Sequence, residues 1–250
     1  MTLRVYLTGP IIVEHEGEVL LREPAFRGRQ ARLAFAYLAL HHRRTVSRSE
    51  LVALLWGKDM PPPAWEAAVS AVLSRIKSAA RALPGTTLES IAGNYRLRLP
   101  TATWIDVDAA LDALDGAEGA IRRGDCKSAY GRTVVASMIA RRPFLADIDL
   151  PWAADYRARL RRVLLRSLVA LSEIWLAIGD ANLAIESALD LLSEDPLNER
   201  GYQLLMGAHA AAGQPADAIA AYRRLRDALR SDLGTQPSPN TEAIYRALLG

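Results

Sequence analysis

Residues 1–100 read as strands, helix, helix, loop, helix and hairpin, and residues 160–230 carry an internal repeat with a period of 34 residues. Together these two observations predict a mainly α chain with a small β component. The expected architecture is an N-terminal winged helix-turn-helix followed by a tetratricopeptide-like α-helical repeat domain. A third observation is a basic surplus confined to the N-terminal part. Residues 1–105 carry 14 Lys and Arg against 8 Asp and Glu, a balance of +6, whereas residues 106–250 carry 17 against 20.

At the start, Leu3, Val5 and Leu7 alternate with polar residues, the period of a half-buried strand. Ile11–Val13 and Val19–Leu21 are further apolar runs, and His15-Glu16-Gly17-Glu18 between them reads as a hairpin turn. Residues 27–40 form the first expected helix, with Leu33, Tyr37 and Leu40 on its core face. His41-His42-Arg43-Arg44 follows as a polar connector; adjacent histidines on a helix point about 100° apart and chelate poorly. Ser47 opens a second helix, because Ser47 and Glu50 make a capping box and Leu51, Leu54 and Leu55 supply a buried stripe up to Trp56-Gly57. Residues 58–63 are a proline-heavy loop.

The stretch from Ala64 to Leu83 is the one around which this half is organised. Val69, Val72, Leu73, Ile76, Ala80 and Leu83 form one apolar stripe at helical spacing. Ser70, Ser74, Lys77 and Arg81 fall on a second stripe, flanked by Arg75 and Ser78. Such a face is either a solvated surface or a recognition surface for a DNA major groove. Its neighbours favour the second. Residues 88–91 and 95–99 read as strands joined by Ala92-Gly93-Asn94, with Arg96 and Arg98 on one face and Tyr95, Leu97 and Leu99 on the other. Two helices, a third across them and a hairpin behind make a winged helix, whose third helix enters the major groove while the hairpin touches flanking backbone. The candidate DNA-binding residues are therefore Ser70, Ser74, Arg75, Lys77, Ser78, Arg81, Asn94, Arg96 and Arg98. The basic surplus of this half fits a polyanionic partner.

From Ile105 the pattern is helical. Asp106 and Asp108 stand at its start, where carboxylates cap helices. Gly179-x4-Ala184-Ile185 recurs as Gly213-x4-Ala218-Ile219, and Leu168-x2-Leu171 as Tyr202-x2-Leu205, all at an offset of 34 residues. Pro196 closes the first unit, and Gly124-Asp125 with Ala129 looks like an earlier, irregular one. Stacked helix pairs of this kind offer a surface to a partner. Residues 233–239 form a turn before a short helix from about Thr241 to Leu249.

The runs Val46–Trp56, Leu73–Lys77 and Gly93–Leu97 resemble the OmpR-type effector domain. With the repeats, Tyr222-Arg-Arg-Leu225 and the Leu233–Pro239 turn, the chain resembles the Streptomyces antibiotic regulatory protein family, its second part being similar to the bacterial transcriptional activation domain. The resemblance is best over residues 29–56 and 195–249 and implies the short type of member. It divides the chain into an OmpR-type winged helix at residues 1–103 and an activation domain at residues 104–250. It implies an activator that binds direct repeats of double-stranded DNA at promoters, helps recruit RNA polymerase, binds side by side as a homodimer and controls a secondary-metabolite cluster. The sequence departs from the family's habit in three ways: the recognition helix has fewer arginines, Ile91 and Ala92 stand where the family has a basic residue before the wing glycine, and Trp65 lies near the helix start.

The remaining expectations are absences. No glycine-rich phosphate loop, metal cluster or catalytic triad stands out, so neither an enzyme nor a cofactor is expected. One cysteine, Cys126, allows no internal disulfide. No apolar run approaches the roughly 18 residues of a membrane helix, and no signal peptide is visible, so a cytoplasmic protein, on the nucleoid when bound, is expected. An alternative remains open: a repeat-type protein-binding adaptor whose winged helix no longer binds DNA. Salt dependence of DNA binding discriminates the two.

Overall fold

The computed structural model describes residues 2–57 and 60–249; Lys58 and Asp59, the start of the proline-heavy loop, lie outside the described residues. The chain forms two compact units, residues 1–110 with 139–160 and residues 111–138 with 161–250.

The first unit opens with β1 (Leu3–Tyr6), β2 (Ile12–His15) and β3 (Glu18–Arg22). Leu3, Val5, Leu7 and Val13 are buried, as the alternation requires. The β2–β3 hairpin closes with His15 opposite Glu18. Its loop residues Glu16 and Gly17 have φ of 54° and 87°, the left-handed pair that suits a two-residue hairpin. β7 (Trp104–Ile105) adds parallel to β1, giving the order β3-β2-β1-β7.

α1 (Arg29–Leu40) is buried nearly all round through Leu33, Phe35, Leu38 and its alanines. It starts two residues later than its pattern suggests. A 3₁₀ turn over Glu23–Phe26 ends on Arg27 in the left-handed region, with Arg27 N–H donating to Pro24 O at 3.1 Å. At the far end His41 and His42 place their Nδ1 atoms 2.8 and 2.9 Å from the carbonyls of Tyr37 and Ala39. α2 (Arg48–Trp56) follows the cap on Ser47, whose Oγ accepts from Glu50 N at 3.0 Å. The Glu50 carboxylate accepts from Tyr37 and Arg44, joining the two helices.

α3 (Trp65–Arg81) buries Val69, Val72, Ile76, Ala79 and Ala80, and Leu83 is buried just past its end. Leu73, expected on the same stripe, is half-buried. β4 (Val46–Ser47), β6 (Asn94–Arg98) and β5 (Thr87–Ile91) form a second sheet in the order β4-β6-β5. Two helices, a third helix and this hairpin are the winged helix-turn-helix.

Residues 139–160 return to this unit through aromatic packing. Phe144 bridges to Thr8, and Trp152 meets the Tyr37 ring edge-on at 5.2 Å. The carboxylate of Asp106 lies in the interior. It accepts from Leu7 N at 2.9 and 3.0 Å, from Thr8 N at 2.9 Å and from Thr8 Oγ at 2.7 Å. Its capping of the helix that follows is confined to the next residue, Val107 N, at 2.8 Å. Burial pushes this carboxyl above its ordinary range, against the pull of those hydrogen bonds.

The second unit is built from helix pairs. α4 (Asp106–Arg122) is followed by α5 (Cys126–Ala140), α6 (Pro151–Ile178) by α7 (Ala181–Glu194), and α8 (Glu199–Ala211) by α9 (Pro215–Leu233); α10 (Pro239–Leu249) comes after them. The turns within the pairs are one design. Gly124, Gly179 and Gly213 have φ of 74°, 86° and 73°. The residue after each glycine donates its N–H five residues back: Asp125 to Ala120, Asp180 to Trp175 and Gln214 to His209, at 3.0, 2.9 and 2.8 Å. A side chain is disfavoured at this φ, which explains the repeated glycine. Close helix approach explains the small residues. A Cβ on Gly201 would stand 2.9 Å from Leu192 Cδ2 and 3.1 Å from Leu191 Cδ2. Around it Ala188, Tyr202, Leu205, Ala218, Ala221 and Leu225 form the core.

Candidate nucleic-acid interface

The face of α3 opposite its buried stripe carries Ser70, Ser74, Arg75, Lys77, Ser78 and Arg81, and all six are exposed. This follows from the helix alone. With Val69, Val72, Ile76 and Ala80 fixed against the core, the remaining positions have no choice but solvent. Ser70 Oγ donates to Glu66 O at 2.8 Å, so its hydroxyl is turned back along the helix. Arg75 leans toward the start of α1, with its Nη1 3.1 Å from where a side chain on Gly28 would begin. Arg81 lies in the last turn of α3, where a cation also meets the negative end of the helix dipole.

The N-terminal end of α3 has a different character. The Arg48 guanidinium lies over the Trp65 ring, 5.1 Å from its centre, and 3.9 Å from the Glu66 carboxylate. Arg48 thus spends part of its charge within the protein, and Trp65 has a role in the packing of α2 on α3.

The wing differs in register from the reading of its sequence. Ile91 pairs with Asn94, so the loop is the two residues Ala92 and Gly93, with φ of 49° and 79°. Asn94 therefore belongs to β6, and its Nδ2 is 3.5 Å from Ala92 O. This register sets Glu89 opposite Arg96. Glu89 Oε2 accepts from Arg96 Nη2 at 2.8 Å, and Oε1 accepts from Arg98 Nη1 at 3.2 Å. Arg96, then Arg98, hold the Glu89 carboxyl below its ordinary range. Arg96 and Arg98 share a face as expected, but they share it with an acid.

Helix and wing converge at one place. Arg81 and Arg98 line the same open depression, of ≈ 690 Å³, together with Leu83, Pro84, Thr86 and Thr87. Two of the nine sequence-derived candidates thereby flank one concavity. Sequence reasoning passes over Glu89, Arg48 and the role of Trp65. Counting a two-residue loop from Gly93 would put residue 89 across from residue 96.

Among the described residues no group of three or more His, Cys, Asp or Glu is placed to hold a metal ion. No described helix is long and apolar enough to cross a membrane.

Residues 105–249 match the family model of the bacterial transcriptional activator domain. The chain is 31% identical over 247 residues to the regulatory protein AfsR of Streptomyces coelicolor, covering 99% of this chain and 24% of that one. It is 26% identical to the regulatory protein DnrI of Streptomyces peucetius, covering 99% of this chain and 92% of the other. The chain thus spans about a quarter of the AfsR relatives it matches. Among solved structures, that of Mycobacterium tuberculosis EmbR in complex with a low-affinity phosphopeptide has the same fold over 99% of this chain and 65% of its own, with a TM-score of 0.85 at 24% identity.

Proposed function

We propose, since this chain belongs to the bacterial transcriptional activator domain family, that it regulates transcription by binding specific duplex DNA. The observation that carries the reading is the exposed face of α3, where Ser70, Ser74, Lys77 and Arg81 stand clear of a helix whose other face is core. Seated in a major groove, such a face offers hydroxyls and cations to base edges. Arg98 and Arg81 bring charge to the adjacent phosphates across the depression they share.

In this reading DNA recognition belongs to residues 1–103 and partner binding to residues 104–250. The regulator acts as an activator at direct repeats, where two copies bind side by side and the helix pairs meet RNA polymerase. The family resemblance read from the sequence extends the proposal to a target among secondary-metabolite genes; the relatives in Streptomyces are named regulatory proteins. No enzymatic step is assigned.

The test is footprinting of the full chain on DNA upstream of its own and neighbouring genes, with affinity measured across a salt series. Protection of paired repeats, with affinity falling steeply in salt, supports the reading. Absence of binding at low salt overturns it and leaves the protein-binding adaptor.

A further inference from the structure

The wing places a carboxylate between two of its cations. Glu89 stands opposite Arg96 in the β5–β6 register, and Arg98 lies on the same face. Both oxygens are occupied. Oε2 takes Arg96 Nε at 3.2 Å and Nη2 at 2.8 Å, while Oε1 takes Arg98 Nη1 at 3.2 Å. Arg96 has therefore committed the side-on pair of donors with which a guanidinium grips a phosphate. Arg98, 66% exposed, has committed one Nη.

The Arg98 pair is exposed and the Arg96 pair half-buried on a strand surface, so the acid adds only modestly to stability. Its effect on the local field is larger. A phosphate arriving at this face meets two positive charges and one negative within hydrogen-bond distance of each other, and it competes with the carboxylate for the same donors.

We propose that Glu89 is an affinity-limiting residue of the duplex interface: it competes with DNA phosphate for Arg96 and Arg98 and restrains the wing's sequence-independent hold on the backbone. This rests on the DNA-binding reading above.

The experiment uses the full chain, wild type and Glu89→Gln, with a short duplex of arbitrary sequence over a salt series. Affinity of the variant rises by up to about tenfold at 0.1 M salt, and the slope against log salt steepens by about one, as when one more phosphate is neutralised. Arg98→Gln then costs more affinity in the Glu89→Gln background than in wild type, because there the guanidinium is free to bind phosphate. Thermal melting checks the fold, and Glu89→Thr, which suits a strand, replaces Gln if that variant does not fold. Equal or weaker binding by a folded variant, with an unchanged slope, overturns the proposal and leaves DNA binding intact. Failure of the wild type itself to bind any duplex overturns both.

Discussion

The Asp106 carboxylate and the Thr8 hydroxyl meet at 2.7 Å, although 98 residues of chain separate them. The same carboxylate holds the backbone N–H groups of Leu7 and Thr8. Asp106→Ala leaves these buried donors without an acceptor, so it should destabilise the protein by about 3 kcal/mol. Asp106→Asn, which keeps one acceptor oxygen, should cost less. Denaturant titration measures both. A fragment ending at Thr103 loses β7 and Asp106 together and should melt well below the full chain.

Lys77 and Arg81 are exposed on α3 while Ile76 is fully buried. Lys77→Ala and Arg81→Ala should weaken DNA binding with little change in melting temperature, Arg81→Ala losing only the small contribution of a cation at the end of α3. Each phosphate left without its cation lowers the salt slope by about one, and a lost base contact costs about 1–3 kcal/mol at one operator position. Ile76→Ala should instead destabilise the fold by about 2–5 kcal/mol. Unchanged operator affinity in a folded double variant means that another face reads the DNA.

The wing turn holds Ala92 at a φ of 49°, a region that suits Asn or Gly. Ala92→Asn makes the loop Asn-Gly, the favoured pair for a two-residue hairpin, and should stabilise the protein by about 1 kcal/mol. A lower denaturation midpoint in this variant would contradict the register.

Glu50 links α1 to α2, and its carboxyl is lowered from 4.5 to about 2 by Arg44 first, with Tyr37 adding to the effect. A depressed carboxyl stabilises the fold above its unfolded value, so this contribution is complete above pH 4.5 and disappears as pH falls toward 2. Arg44 is 46% exposed, so solvent screening keeps the effect modest. Wild type should lose more stability over this range than Glu50→Gln, which is already without the pair. Parallel pH profiles of melting temperature would count against the link.

Two glycines of α8 make a paired test of the repeat packing. Gly201→Ala drives a methyl into Leu191 and Leu192 and should cost about 1–3 kcal/mol, less the helix preference of Ala. Gly207 has nothing within 4 Å of a would-be Cβ, so Gly207→Ala should stabilise by up to about 1 kcal/mol. Opposite signs in the two melting shifts are the expected result.

What is legible in the sequence is periodic. The burial of Val69, Val72, Ile76, Ala80 and Leu83 follows from spacing alone, and so does the exposure of the cations between them. The glycine turns are legible because a left-handed residue repeats at a fixed period. What the sequence hides depends on partners far along the chain. β4 and β7 are two residues long and exist through pairing with β6 and β1. Asp106 reads as a helix cap because its acceptor role needs Leu7 and Thr8. Glu89 escapes notice because a rule that looks for Asn-Gly passes over Ala92-Gly93, and a shift of one residue turns a strand's faces over.

Tyr222 of α9 stacks on Tyr245 of α10 at 3.8 Å, and Thr241 of α10 is fully buried. α10 therefore lies where the first helix of a further repeat would lie. A stack of identical units has a sticky end, since each unit presents to the next the surface its predecessor used. Here α10 covers that surface of α9 with Tyr245, Ile244 and Leu248 and presents Arg246 outward. Without this cover Tyr222 would lose its stacked ring, and the apolar side of α9 that α10 shields would stand bare to water as an adhesive patch.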